Sequence, residues 1–166
     1  MDGWQIALLA SAVLFASYLA FRMRPLVSER ARSSAASLKD AKTRIAAAKD
    51  DDARVTALCD AADACAGLGR YGASVSFFLR ALGVRPLAKA TMDRAVAALA
   101  HRPGTLEKLV WRALGGAEWT KGEHREAALV GLRSLVTIYE RKPRTRPRAR
   151  AIAHALALLD PGRAEP

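Results

Sequence analysis

Three glycines of this chain have the spacing of a dinucleotide-binding loop. Gly67, Gly69 and Gly72 spell G-x-G-x-x-G, a pattern that lets a backbone approach a pyrophosphate closely. That function needs a β-strand before the loop and a helix N-terminus aimed at the phosphates. The residues before Gly67 are instead Ala-rich and typical of a helix. We therefore interpret these glycines as a turn between two helices rather than a nucleotide site.

The histidines and the clustered carboxylates lack the spacing of a catalytic or metal site. His101, His124 and His154 stand in separate segments, without a second ligand at metal spacing. The three aspartates at 50–52 lack the glycine and distal glutamate of a calcium loop, and their position before an apolar run is typical of a helix N-terminus. No serine or cysteine follows a nucleophile-elbow pattern with a convincing base. We predict a non-enzymatic protein that uses no cofactor and no metal.

The two cysteines are expected to remain reduced. Cys59 and Cys65 are six residues apart on one predicted helix, which turns their side chains about 240° from each other. They should therefore not pair. Free cysteine behaves as a small apolar residue, so we predict two buried thiols in a compartment that keeps them reduced.

The composition predicts helices throughout. The chain has 166 residues, is rich in Ala, Leu and Arg, and contains 6% aromatic residues without alternating strand-like runs. Once a terminal segment is set aside, roughly 110 to 130 residues remain for a core, which is enough for one modest domain. The predicted fold is all-α.

Residues 3–21 form an uncharged run of 19 residues. As a helix this run would be about 28 Å long, enough to cross a bilayer. Positive charges follow the run instead of preceding it, so we predict an uncleaved transmembrane anchor at residues 1–24 rather than a signal peptide. The positive-inside rule then places the C-terminal body in the cytoplasm, as a single-pass membrane protein.

The net charge of +11 is concentrated outside residues 51–140. Residues 22–50 contain eight Lys and Arg against three acidic residues, residues 141–166 seven against two, and residues 51–140 twelve against ten. This distribution favours anionic lipid over nucleic acid as a partner. Six of residues 141–150 are basic; this run is interpreted as a solvated loop or, alternatively, as a contact with lipid head groups. The predicted lipid-facing residues are Arg22, Arg24, Arg30, Arg32, Arg144, Arg146 and Arg148.

A juxtamembrane segment at residues 25–50 is predicted to join the anchor to the body. Pro25 is expected to interrupt the helix after the membrane. Residues 28–37 read as a linker or a continuing exposed helix. Residues 38–49 are predicted to be helical, with Leu38, Ala41, Ile45 and Ala48 on one face.

Residues 55–86 have the pattern of a helical hairpin. Gly69 is the expected turn and Pro86 the expected stop. The residues predicted to face each other across the two helices are Leu58, Ala61, Ala62 and Cys65 on the first and Tyr71, Ser74, Phe78 and Ala81 on the second. The stretch LGRYGASVSFFLRALGVRP resembles the second half of a tetratricopeptide repeat.

Residues 108–129 resemble a second, better preserved unit of the same family. The matching residues are Trp111, Leu114 and Gly115 for the W-x-x-L-G pattern of a first helix, followed by the turn glycine Gly122 and the small residue Ala127. The two turn glycines are 53 residues apart, so residues 87–101 are predicted to be an inserted helix. Gly131 stands where the family usually has a large aromatic residue. The predicted repeat-like domain covers residues 51–160, followed by a tail at 161–166.

The resemblance implies a partner-binding groove. In tetratricopeptide proteins the first helix of each hairpin lines the concave surface, which implies contacts from Thr56, Cys59, Asp63, Leu109, Arg112 and Trp119. Exposed Trp and Arg often dominate interfaces, so Arg112 and Trp119 are the strongest candidates, while Trp111 is expected to serve packing. We expect a membrane-anchored adaptor or scaffold for a protein or peptide. The alternatives are a structural subunit of a larger membrane complex and a basic module that binds lipid or nucleic acid.

Overall fold

Helices make up nearly all of the described chain, as the composition predicts. A computed structural model describes residues 3–116, 118, 122–141 and 143–159, and within these ranges it leaves undescribed the side chains of residues 3, 6, 7, 19–28, 30 and 123. Across the described ranges the secondary structure is helical with no strand, which confirms the all-α prediction. The helices are α1 (Gly3–Ala47), α2 (Asp51–Gly67), α3 (Tyr71–Val84), α4 (Lys89–Leu99), α5 (Pro103–Gly115), α6 (Gly122–Glu140) and α7 (Arg146–Leu159), with a 3₁₀ turn at Pro143–Thr145.

The first helix is continuous over 45 residues. The prediction that Pro25 interrupts it is wrong, because α1 runs through that position. A proline removes one backbone hydrogen bond, which long helical flanks on both sides can tolerate. Residues 28–37 therefore continue the helix. Leu38 and Ala41 are buried and Ile45 is half-buried against α2, as the periodicity predicts. The helix ends at Ala47, so Ala48 lies just beyond it.

The predicted membrane span at residues 3–21 lies partly outside the described residues, because the side chains of residues 3, 6, 7 and 19–21 are among those left out. In the part of the chain that is described, no helix has the length and apolar content needed to cross a membrane.

The hairpin of α2 and α3 forms as its sequence predicts. The Asp50 side chain accepts a hydrogen bond from the Ala53 backbone N–H at 2.7 Å and so caps α2. Gly69 ends the helix with φ +73°, and the Arg70 N–H donates to the Cys65 carbonyl at 2.8 Å in the pattern of a Schellman motif. Phe78 of α3 is fully buried between the helices.

The helices of the body stack in two layers. Contacts join helices that are one or two apart in the chain, so α2, α4 and α6 lie side by side while α3 and α5 lie side by side behind them. We call these the even layer and the odd layer. Because α2, α4 and α6 share a layer and alternate with returning helices, their chain directions agree. Cys59 in α2 contacts Thr91 in α4. Further along the chain, Tyr71, just past the end of α2, contacts His101, just past the end of α4, as expected for parallel helices.

This arrangement changes the assignment of the second repeat-like unit. Residues 108–129 do supply parts of two helices, and Gly122 has the positive φ (+62°) expected of a turn glycine. However, α5 lies in the layer of α3 rather than that of α2, so α5 does not have the position of a first helix. Gly131 allows the close approach of α6 to α5, since a Cβ there would lie 3.0 Å from Val110 Cγ1.

The basic run at residues 141–150 is only partly a loop. Arg146 begins α7, and Pro147 occupies its first turn, where a proline costs no helical hydrogen bond. Ala149 and Ile152 pack into the core, and α7 lies against α6 as the closing helix of the stack.

Candidate functional site

The groove candidates on α2 divide between surface and core. Thr56 is exposed and Asp63 half-exposed on the outer stripe of α2. Cys59 is buried, and its thiol donates to Thr91 Oγ1 at 3.8 Å. Burial raises the pKa of the Cys59 thiol above its usual value, and burial does the same for Cys65. The prediction of two buried, unpaired thiols is confirmed, and Cys59 has no surface from which to contact a partner.

The candidates on α5 also divide. Leu109 is fully buried between the layers and cannot line a groove, whereas Arg112 is exposed. Trp119 lies outside the described residues. Because α2 and α5 belong to different layers, Thr56 and Asp63 do not share a face with Arg112. The structure therefore does not bring the predicted groove residues together.

An ion-pair network connects three helices on the outer stripe of α2. Asp60 Oδ2 accepts from Arg44 Nη1 of α1 at 2.7 Å, and Asp60 Oδ1 accepts from Arg94 Nη2 of α4 at 2.7 Å. Arg94 also donates to Asp63, from Nε at 3.0 Å and from Nη2. Arg44 additionally pairs with Asp40 one turn earlier on α1. The network fixes α1 and α4 against α2.

The electrostatics of the network follow from its geometry. Partial burial by itself would raise the pKa of the Asp60 carboxyl, but hydrogen bonds from Arg94 and Arg44 outweigh burial and hold that pKa below its ordinary value. For Arg94, burial opposes the charged form, but hydrogen bonds to Asp60 and Asp63 raise its pKa. Both shifts favour the charged forms of Asp60 and Arg94 at neutral pH. Sequence reasoning missed Asp60 and Arg94, although the i, i+3 carboxylates on a polar stripe of α2 were a signal for a cationic neighbour.

A small cleft lies beside this network. Its volume is about 370 Å³, and three serines of α1 line it opposite the charged groups. The lining serines are Ser33, Ser34 and Ser37. The helices are close here, because a Cβ at Gly67 would lie 2.8 Å from Ser34 Oγ.

The even layer carries a larger opening between α4 and α6. Two clefts of about 630 and 370 Å³ adjoin there, and both are lined by Lys89 and Glu126. Arg85 contributes to the larger cleft, and Arg125 and Arg133 contribute to the smaller one. Leu129 and Val130 add apolar surface to the smaller cleft. The arrangement can receive side chains of a partner. Among the described lining residues, cations outnumber carboxylates, of which Glu126 is the one. No sequence motif marks these residues, since they come from two helices and a connection.

Trp111 is a surface residue, contrary to the expectation that it serves packing. Its side chain is 46% exposed, and its indole N–H donates to the Tyr139 hydroxyl at 3.2 Å. That hydroxyl donates in turn to Glu107 Oε1 at 2.6 Å. Burial and the bond to Glu107 raise the pKa of Tyr139. The triad ties α5 to the C-terminal end of α6.

The predicted lipid-facing arginines are exposed wherever they are described. Arg32 lies on the exposed part of α1, and Arg144, Arg146 and Arg148 are exposed around the start of α7. The side chains of Arg22, Arg24 and Arg30 lie outside the described part of the chain.

The glycines of the G-x-G-x-x-G pattern lie at a helix turn, and two of the histidines have polar neighbours. Gly67, Gly69 and Gly72 lie at the turn between α2 and α3, as predicted. His101 Nε2 is 3.1 Å from the Tyr71 hydroxyl, and His124 Nδ1 is 2.9 Å from the Glu118 carbonyl oxygen. Among the described residues, no group of three or more His, Cys, Asp or Glu side chains could hold a metal ion.

Comparison of the chain with protein-family models, with curated proteins and with solved structures gives no match.

Proposed function

We propose that this chain is a membrane-anchored scaffold. The apolar half of α1 spans a bilayer, and the helical body, which resembles tetratricopeptide repeat proteins, holds a protein or peptide partner on the cytoplasmic side. The alternation of layers, in which each helix contacts neighbours one or two apart, supports the repeat-like interpretation because such arrays bury a continuous core by stacking.

The observation that carries the proposal is the exposure of the N-terminal half of α1. Every described side chain from Trp4 to Tyr18 is exposed, and the large apolar ones are 54% to 71% exposed. These residues are Trp4, Leu8, Leu9, Val13, Leu14, Phe15 and Tyr18. A contiguous apolar surface of this kind is rare on a soluble monomer and is expected to be covered in the cell. The uncharged run of 19 residues supports a bilayer as the cover.

Anchoring is tested by extraction of membranes with alkaline carbonate. The wild-type chain should remain in the pellet. Replacing Val13 and Leu14 together by arginine should release it, because each arginine at the centre of a span costs about 3 kcal/mol of insertion. Leu158→Arg is the matched control, since Leu158 is an equally exposed leucine on α7. Retention of the Val13→Arg, Leu14→Arg variant would refute the anchor. Digestion of the body by protease added outside intact cells would refute the cytoplasmic orientation.

Partner binding is tested by photo-crosslinking in cells. A crosslinking amino acid placed at Ala90, which lines the α4–α6 opening, should give a discrete product with a partner. The same amino acid at Ser76, exposed on α3 in the odd layer, is the matched control. Products of equal yield from both positions, or from neither, would contradict a partner-binding even layer.

A further inference from the structure

The connections of the stack segregate charge onto one edge. Because α2, α4 and α6 run in the same direction, the turns that follow them lie along the same edge of the body. The contacts of Tyr71 with His101 and Arg102 place the first two turns side by side, with the Arg102 guanidinium 4.6 Å from the Tyr71 ring centre. The third turn is tied to the end of α6 by the Thr145 hydroxyl, which donates to the Tyr139 carbonyl at 2.6 Å.

We call this edge the basic edge. Its exposed arginines are Arg70, Arg102, Arg141, Arg144, Arg146 and Arg148. The opposite edge holds the turns before α2 and α4, where acidic and basic side chains occur together. Asp50, Asp51 and Asp52 precede or open α2, and Arg85 pairs there with Asp52 at 2.6 Å. The two edges of the body therefore differ in charge.

The apolar half of α1 leaves the body at the basic edge. Ser34 of α1 lies beside Gly67 near the end of α2, while Arg44 pairs with Asp60 further back, so α1 and α2 are antiparallel. The residues of α1 before about residue 31 therefore extend beyond the body on the side of the basic edge. Residues 22–31 would place about 15 Å of helix between the end of the uncharged run and the body.

We propose that the basic edge docks on the anionic lipid head groups of the bilayer that holds α1. Ten residues of upright helix would leave a gap wider than the Debye length of about 8 Å at physiological salt. The α6–α7 turn lies about three helix spacings of 8 to 10 Å from α1, so an ordinary helix tilt of about 20° lowers that turn by roughly 10 Å. The arginines are densest at the α6–α7 turn, which is the turn farthest from α1 and therefore moves most when the helix tilts. Attraction for anionic lipid therefore selects the direction of tilt and leaves the opposite edge and the α4–α6 opening turned toward the cytoplasm.

The inference rests on the proposed membrane anchor, and the experiment separates the two. The full chain is reconstituted into vesicles of phosphatidylcholine alone and into vesicles that also contain phosphatidylserine, each with a head-group spin-labelled lipid as a contact quencher. A fluorophore is attached at Ala100→Cys on the basic edge or at Ala90→Cys at the other end of α4, both exposed positions. The unsubstituted chain, whose two cysteines are buried, gives the labelling blank.

Docking predicts stronger quenching at position 100 in the phosphatidylserine vesicles, with little change at position 90. The difference should disappear in 1 M NaCl, where the Debye length is about 3 Å. Each arginine near an anionic surface favours docking about fivefold. Replacement of Arg141, Arg144, Arg146 and Arg148 by Gln should therefore lower the ratio of docked to free bodies by several hundredfold. The matched control removes four exposed cations away from this edge: Lys49, Arg54, Arg80 and Arg112.

Flotation of the same vesicles in high salt reports the anchor alone. Failure to float with either lipid would refute the anchor and with it the docking. Flotation with equal quenching in both lipids would refute docking and leave the anchor intact. Loss of quenching in the control variant equal to that in the edge variant would also overturn the proposal, because net charge rather than this edge would then account for it. The proposal would also be overturned if quenching were equal in both lipids and the chain retarded a duplex oligonucleotide in a gel through the edge arginines. That result would assign these arginines to nucleic-acid binding.

Discussion

Arg94 offers the sharpest test of how the body holds its N-terminal helix. Its guanidinium bridges Asp60 and Asp63 of α2, and Asp60 is shared with Arg44 of α1. Arg94→Met removes the bridging cation and keeps the aliphatic part of the side chain. The substitution leaves the carboxylates of Asp60 and Asp63 one helical turn apart without the cation between them. Arg44 is then the remaining described partner of Asp60. We expect the free energy of unfolding to fall.

The expected loss is modest because the network is partly solvated. The Arg94 side chain is 38% exposed, so each of its two ion pairs is placed in the range of 0.2 to 1 kcal/mol measured for exposed pairs rather than in the range for buried ones. Two pairs give a loss of about 0.4 to 2 kcal/mol. Arg80→Met, at an exposed arginine on α3 without an ion pair among the described residues, should cost less than about 0.5 kcal/mol.

The assay is urea unfolding of the full chain in detergent micelles, followed by far-ultraviolet circular dichroism across pH. The pKa of Asp60 is depressed in the folded state, so its contribution is present above the unfolded-state value of about 3.9 and is lost as the pH falls through the folded-state value. The wild-type and Arg94→Met curves should therefore converge in acid. A loss no larger than that of Arg80→Met at neutral pH, or a difference that persists undiminished in acid, would refute the assignment.

Three further substitutions or labels test the packing of the body. Ser74→Ala should raise the free energy of unfolding by about 1 kcal/mol in the same assay, because the buried Ser74 hydroxyl has no hydrogen-bond partner among the described residues. Gly131→Leu should lower it by about 1 to 3 kcal/mol, since even a Cβ would press against Val110. Cys59 and Cys65 should resist alkylation at neutral pH and react once urea unfolds the chain, because burial raises the pKa of both thiols. Alkylation is followed by mass spectrometry, and rapid alkylation of the folded chain would contradict this prediction.

Local signals made much of the fold predictable. The aspartate cap before α2, the turn at Gly69 and the apolar stripe that buries Phe78 each depend on residues close in sequence, and each lies where the pattern places it. Pro25 was harder to interpret. It lies inside α1 because long helical flanks on both sides tolerate the loss of one backbone hydrogen bond, which the local sequence does not reveal.

The pairing of helices was not available from local patterns. The W-x-x-L-G match at Trp111 indicates a helix but does not determine which layer that helix joins, because the layer depends on contacts between segments far apart in sequence. This explains why Leu109 and Cys59 were placed in a groove although both have neighbours on two sides. It also explains why the Arg94 network and the α4–α6 opening were missed, since each is assembled from separate helices.

Folding alone does not account for the charge at the start of α7. Arg146 and Arg148 lie in its first turn, Arg144 lies two residues before it, and no acidic residue occupies that turn. Cations at a helix N-terminus oppose the helix dipole, so these arginines are expected to cost the body a few tenths of a kcal/mol each. Their replacement by Gln should leave the stability in micelles unchanged or higher while it abolishes docking on anionic lipid. Stability and docking that fell together would mean that these arginines serve the fold, and opposite changes would assign them to a surface outside it.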